Sequence, residues 1–211
     1  MASSTQSFVD HFGASLIALY RYGRQELTRS RADELHLLMV ISSSQSLAGY
    51  KPPFIHKIQS LQVFTQDELI RSLDVFPLEF LDMKMDRELV AGTDILDQLS
   101  VSVDNVRHQA EFGLRTSLLR LRHAALLTPK QQASAALFSA SDVIRCLRGL
   151  LNTLRGLALR SSEDVIAAVE EWTSLSFPNL TALQRSERPS LSDYTAYRSE
   201  IEQLIDRIDH L

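Results

Sequence analysis

Residues Val75 to Leu99 read VFPLEFLDMKMDRELVAGTDILDQL, and the chain changes character across them. Phe80 to Val90 predicts a strand, long enough to carry a bend, and Gly92 stops it. Beyond Val103 the apolar period lengthens. Val106, Ala110, Gly113, Leu114, Ser117, Leu118, Leu121 and Ala125 recur at helical spacing, with Asp104 as the expected N-cap and Pro129 just past the end. An α/β half therefore hands over to an all-helical half, with the break near residues 99 to 104.

Upstream, Thr5 to Phe12 predicts a short helix with Phe8, Val9 and Phe12 on one side and Gly13 as its stop. Ser15 to Gly23 is an apolar, β-prone run ending in glycine and predicts a first strand. Leu35 to Ile41 is apolar at all but one position, as expected of a strand covered on both faces. Phe54, Ile55 and Ile58 suggest a short amphipathic helix after Pro52-Pro53. Leu61 to Phe64 alternates like a strand. Thr65 with Glu68 three residues on forms a capping-box signature for a helix carrying Leu69, Ile70 and Leu73, which Pro77 ends or follows.

Downstream, a second long helix is expected from about Gln131, with Ala136, Leu137, Ala140, Val143, Ile144, Leu147, Leu150, Leu151 and Leu154 inward. A third opens at Ser162-Glu163 and is closed by Pro178. A fourth opens at Ser190 to Asp193 and turns Tyr194, Tyr197, Ile201, Leu204, Ile205 and Ile208 inward. Amphipathic helices joined by short links must cover one another's apolar stripes, so four of them predict a bundle.

Composition bounds the rest. Among the 211 residues, 45% are hydrophobic and 23% charged, which is ordinary for a globular chain. A net charge of −4 argues against a general nucleic-acid or anionic-membrane binder. Arginines 21, 24, 29 and 31 nevertheless cluster near the start, so a local phosphate site is open to them. The single cysteine, Cys146, forbids an internal disulfide framework and fits a reducing compartment. With no signal-like start and no apolar run of membrane length, the expected location is the cytoplasm.

Three runs carry a resemblance to a known family. They are Phe76-Pro77-Leu78-Glu79-Phe80-Leu81-Asp82-Met83-Lys84, then Gly92-Thr93-Asp94-Ile95-Leu96, then the helical series from Val106, Arg107, Gln109 and Glu111 through Leu114 and Arg115 to Leu121 and Arg122. Over the N-terminal two-thirds of the chain they resemble a group of bacterial nucleotidyltransferase-like proteins. The resemblance implies an α+β chain: a small mixed-sheet nucleotidyltransferase-like domain at 1–100, then a four-helix bundle at 101–211. It also implies a substrate cleft between the two parts.

In that family a Gly-Ser turn after the first strand holds the nucleotide's phosphates. Two carboxylates spaced Asp-x-Asp begin the second strand, on one face of it, and hold Mg²⁺. A third carboxylate on a neighbouring strand completes the site. Here Gly23-Arg24 takes the place of the turn, with Arg24 where serine is expected. Anchored on the apolar run, Glu34 and His36 take the carboxylate pair; anchored on Asp33, Leu35 takes the second position. Neither alignment restores two carboxylates. Glu79 or Asp82 supplies the third. The resemblance thus implies Glu34, Glu79 and Asp82 as catalytic and metal-binding residues if the protein is active, and Gly23 and Arg24 as the nucleotide-binding pair.

Blander readings compete. Glu79 and Asp82 can serve only to pair with an arginine of the following helix. Arg107, Glu111 and Arg115, at i, i+4 and i+8, make a salt-bridge ladder. His36 in an apolar strand reads as a core histidine, Cys146 as a buried thiol, and Trp172 with the two tyrosines of the last helix as bundle core. No Walker, Gly-x-Ser-x-Gly or Cys-x-x-Cys sequence is present. Two functions remain. One is a catalytically degenerate pseudoenzyme that binds nucleotide, or binds a protein partner or its own copy through the helical half, with no cofactor required. The other is an active transferase moving a nucleoside monophosphate from a nucleoside triphosphate, with Mg²⁺, to a small molecule or protein.

Overall fold

The structure, a computed structural model, describes residues 2–23, 35–50, 58–185 and 191–210. The chain divides into two compact units, Met1–Ser102 and Val103–Leu211.

In the first unit, helix α1 (Ala2–Phe12) precedes strands β1 (Leu16–Tyr22), β2 (Leu35–Ile41) and β3 (Ile58–Thr65). Helices α2 (Gln66–Arg71) and α3 (Pro77–Met85) follow, then strand β4 (Arg87–Gly92). The sheet order is β3-β2-β1-β4. β1 runs antiparallel to both its neighbours, while β2 and β3 are parallel. The sheet is therefore mixed.

Both faces of the sheet are covered, which is why β2 is apolar almost throughout. Ala18, Tyr20, Leu38 and Val40 point to one face and pack with Leu69 of α2, Phe80 and Met83 of α3, and Leu96. Leu19, Leu37, Met39 and Ile41 point to the other, under Phe8 and Phe12 of α1. Full burial of each such side chain contributes roughly 1.5–3 kcal/mol. Tyr50 closes that second face, its ring 5.5 Å from Phe8 and 5.0 Å from Phe12, with its hydroxyl 3.1 Å from Ser7 Oγ.

α2 starts as its capping signature requires: Glu68 N–H donates to Thr65 Oγ1 at 3.3 Å, and Thr65 N–H to Glu68 Oε2 at 2.9 Å. The expected strand over Phe80–Val90 is corrected. Its first half is α3, with Pro77 at the first helical turn and Leu78, Phe80, Leu81 and Met83 buried. Proline lacks only a donor that the first turn leaves unused, so Pro77 starts a helix rather than ending one. The strand begins after Asp86. The expected helix at Phe54–Ile58 lies largely outside the described residues, and Ile58 itself opens β3.

The second unit holds α4 (Val103–Ala124), α5 (Pro129–Arg155), α6 (Ser162–Thr173), α7 (Pro178–Arg185) and α8 (Leu191–Asp209). α5 is its centre, buried along most of its length from Ala136 to Leu151; Leu154, expected inward, is exposed in the helix's last turn. α4 and α5 pack closely at Gly113, where an added Cβ would lie 2.6 Å from Cys146 Sγ. Asp104 sits in the first turn of α4 rather than at its cap. Pro129 begins α5, behind Thr128, whose N–H and hydroxyl both donate to Gln131 Oε1 at 3.1 and 2.7 Å.

A short fifth helix, α7, follows Pro178 where only the end of the third was expected; α6 itself stops at Thr173, with Ser174 left-handed at φ 58°. Glu200 of α8, 8% exposed, supplies the cap of α7: its Oε1 accepts from Asn179 N–H at 2.9 Å and its Oε2 from Leu180 N–H at 2.9 Å. These are donors that a helix start leaves orphaned. Among the described residues no helix is long and apolar enough to cross a membrane.

Candidate functional site

β1 and β2 are antiparallel, so the end of β1 and the start of β2 lie at one end of the sheet. Tyr22 stands opposite His36 there, and His36 stands opposite Ser60 on β3. Side chains in register point to the same face. The Tyr22 hydroxyl lies 3.4 Å from Ser60 Oγ, and the Tyr22 and His36 rings are 5.9 Å apart. Burial raises the Tyr22 phenol above its ordinary pKa, against a smaller opposing effect of Ser60.

Gly23 follows directly, at φ 66°, a left-handed conformation that suits glycine. Its N–H donates to the Asp86 carbonyl at 3.3 Å, tying the exit of β1 to the α3–β4 junction. The resemblance puts the phosphate turn and the carboxylate pair at this end of the sheet. Of its candidates, Gly23 and His36 are described; Arg24 and Glu34, with Asp33, lie outside the described residues.

Glu79 and Asp82 are on α3, not on a strand. Three residues apart on a helix, they share one side of it, half-buried. Neither carboxylate is idle, since each interacts within the chain. Among the described residues no group of three His, Cys, Asp or Glu side chains is placed to hold one metal ion.

The chemistry of the donor set tests the Mg²⁺ site directly. Mg²⁺ takes oxygen ligands in near-octahedral geometry, and an imidazole suits softer metals. Under the resemblance, His36 or Leu35 takes the place of the second carboxylate according to the alignment, and neither side chain offers the oxygen ligand of a paired-carboxylate site.

The Gly92-Thr93-Asp94-Ile95-Leu96 run has a different job. At Gly92, φ 85°, an added Cβ would lie 2.1 Å from the Ile17 carbonyl oxygen, so only glycine lets β4 close on β1. The next residues wrap the Tyr20 hydroxyl. It accepts from Ile95 N–H at 2.7 Å and Leu96 N–H at 3.2 Å, and donates to Asp94 Oδ1 at 3.1 Å. Arg87 holds Asp94 through Nη2 at 2.8 Å and Nε at 3.2 Å, and reaches Asp97 Oδ1 at 3.2 Å. Lys84 donates to the carbonyls of Asp97 and Leu99 at 3.1 and 2.9 Å. Two of the three runs that carry the resemblance thus form one buttress under β1.

Sequence reading missed the Tyr22–His36–Ser60 row and the Arg87–Asp94 pair. The row was discoverable in part: Tyr22 and His36 sit on predicted strands whose ends must meet. Arg87–Asp94 had no signal while residues 80–90 read as a single strand. The ladder of Arg107, Glu111 and Arg115 is half present. Arg107 pairs with Glu111 at 2.9 Å, but Arg115 turns to Asp209 of α8 at 2.7 Å.

No protein-family model matches the sequence, and no curated protein does. Among solved structures, the chain is similar to the spectinomycin adenyltransferase AAD(9) from Enterococcus faecialis, determined with ATP and spectinomycin. The identity is 12%, the TM-score 0.54, and the match covers 98% of this chain and 97% of that one. A nucleotidyltransferase-like protein from Exiguobacterium sibiricum matches at 14% identity over 98% of this chain and 74% of its own, with a TM-score of 0.38, too low to bear on the fold. The chain has an α+β, nucleotidyltransferase-like fold with a C-terminal helical part.

Proposed function

We propose that this protein is a catalytically degenerate member of the nucleotidyltransferase-like fold, acting as a nucleotide-binding or protein-interaction module. The observation that carries this reading is His36, in register with Tyr22 and Ser60 at the sheet end where the resemblance, anchored on the apolar run of β2, expects a carboxylate. Losing one of two carboxylates costs the two-metal arrangement that aligns and neutralises a triphosphate. It does not cost phosphate binding by a glycine turn and a guanidinium, so Gly23 and Arg24 are the proposed nucleotide contacts.

A second reading rests on the likeness to an adenyltransferase solved with ATP and a small molecule. On it the protein transfers a nucleoside monophosphate, and Glu34 with Glu79 and Asp82 holds the metal.

Calorimetric titration of nucleoside triphosphates, with Mg²⁺, with Mn²⁺ and with chelator, separates these. Degenerate binding gives heat that survives chelator, weakens in Arg24→Ala and is unmoved in Glu79→Gln. Metal-dependent micromolar binding, about −8 kcal/mol, that falls in Glu79→Gln supports the transferase instead. Absence of heat under every condition sinks both nucleotide readings and leaves the protein-interaction module.

A further inference from the structure

Among the described residues, the four most exposed large apolar side chains are Leu126 at 84%, Phe138 at 73%, Phe112 at 68% and Leu119 at 64%. All four belong to the hairpin of α4 and α5. Scattered surface apolar residues need no explanation, but a concentration on one hairpin does.

Phe112 and Leu119 are seven residues apart, two turns along one stripe of α4, on the side away from the buried Val106, Ala110 and Leu121. Across the hairpin, Arg120 of α4 meets Asp142 of α5 at 3.3 Å, and Arg145 joins Asp142 at 3.2 Å. Phe138 lies one turn before Asp142. It therefore shares the outward face of α5 with that ion cluster, and the Phe112–Leu119 stripe flanks the cluster on the α4 side.

We propose that this face binds a second copy of the same chain about a two-fold axis. Two turns span about 10 Å. In an antiparallel approach Phe112 of one copy meets Leu119 of the other, and the reverse, which is the self-complementarity a two-fold contact needs. Two phenylalanines and a leucine at these exposures bring roughly 400 Å² from each copy. A standard interface takes about 800 Å² per partner, so the apolar anchors supply half and the polar rim the rest. That is the size of a reversible dimer.

Charge selects the occupant. Residues 103–211 hold as many Lys and Arg as Asp and Glu, so the chain's net charge of −4 falls entirely on the first unit. Arg107 pairs with Glu111, while Arg120 and Arg145 share Asp142, so the named ions of the face sum to a single positive charge. A strongly charged partner gains little from it, whereas two copies meet with little repulsion.

Sedimentation velocity on the whole chain between about 1 and 100 µM tests this. A monomer–dimer equilibrium is expected, with the dissociation constant raised at least ~10-fold in Phe112→Glu and in Phe138→Glu. Both sites are exposed, so the variants should fold, with circular dichroism as the check. A mixture of Phe112→Cys and Leu119→Cys chains, whose thiols face each other across the axis, should form a disulfide-linked dimer on mild oxidation, while Cys146, 3% exposed, does not. A monomer at every concentration overturns the proposal. So does a dimer unchanged in the Phe112→Glu, Phe138→Glu double variant, or a monomer that floats with neutral lipid vesicles.

Discussion

Arg87 grips Asp94 with two nitrogens, at 2.8 and 3.2 Å from the same carboxylate oxygen, and the pair locks β4 to the turn that wraps Tyr20. The Asp94 carboxyl is pulled in opposite directions. Burial raises its pKa, the bonds from Arg87 and Tyr20 lower it, and the net is below the ordinary 3.8. A depressed folded pKa means the proton binds the unfolded chain more tightly. The stabilisation is complete above the ordinary aspartate range and is lost as pH falls through the lower folded value. Asp94→Asn should cost about 1 kcal/mol at neutral pH, a modest figure because the side chain is 36% exposed and screened. Urea midpoints measured down into acid should show the wild type and variant converging.

Gly92→Ala should be far more costly. A left-handed φ and a Cβ 2.1 Å from backbone leave no relaxation short of unpairing β4 from β1. A loss of about 2–4 kcal/mol is expected, read as a fall in denaturation midpoint. Gly156→Ala is the control: its φ is 68° and nothing lies within 4 Å of an added Cβ, so it should cost only about 1 kcal/mol.

Glu200 caps a helix from another element. Glu200→Ala strips acceptors from two backbone N–H groups and from Asn179 Nδ2 and should destabilise by about 2–3 kcal/mol. Amide exchange should accelerate first in residues 178–185. Exchange rising evenly across α5 and α8 instead would show that α7 has no separate dependence on this carboxylate.

Tyr20, Tyr22, Tyr194 and Tyr197 all have phenols held above the ordinary 10.0, in each case chiefly by burial. A raised folded pKa gives stability that is complete below 10.0 and lost as pH climbs through the higher folded values. Phenolate absorbance should therefore lag a free-tyrosine titration and rise together with the loss of helical circular dichroism. Tyr197→Phe removes the hydroxyl 3.0 Å from Ser139 Oγ and should move that alkaline transition upward.

Much of the fold was legible because local and tertiary signals agreed. Leu35–Ile41 and the Thr65–Glu68 capping box lie where the sequence put them. Two misses share a cause: Pro77 was read as ending or following α2 and Pro178 as closing the third helix, and neither as a start. Pro77 and Pro178 each open a helix of only nine and eight residues, too short for periodicity to separate it from a strand or a loop. The start of α7 depends on Glu200, twenty-one positions beyond Asn179, and no local pattern reports that. At the candidate site, His36 was legible as a misfit from residue type alone. The Tyr22–Ser60 contact was not, because it depends on a parallel β2–β3 register that no single strand encodes.

β1 is the inner strand that waits longest. It pairs with β2, which follows soon after, and with β4, while the amides that hold the Tyr20 hydroxyl are 75 and 76 positions away. A ribosome adds about 5–20 residues each second, so the apolar segment Leu16–Tyr20 spends several seconds of its synthesis with one open edge. The α4–α5 hairpin closes locally and carries no such delay. Synthesis of the two units is thus asymmetric: the sheet is the part that stays incomplete longest on the ribosome, and α1, made just before β1, brings Phe8 and Phe12 to cover one of its faces meanwhile.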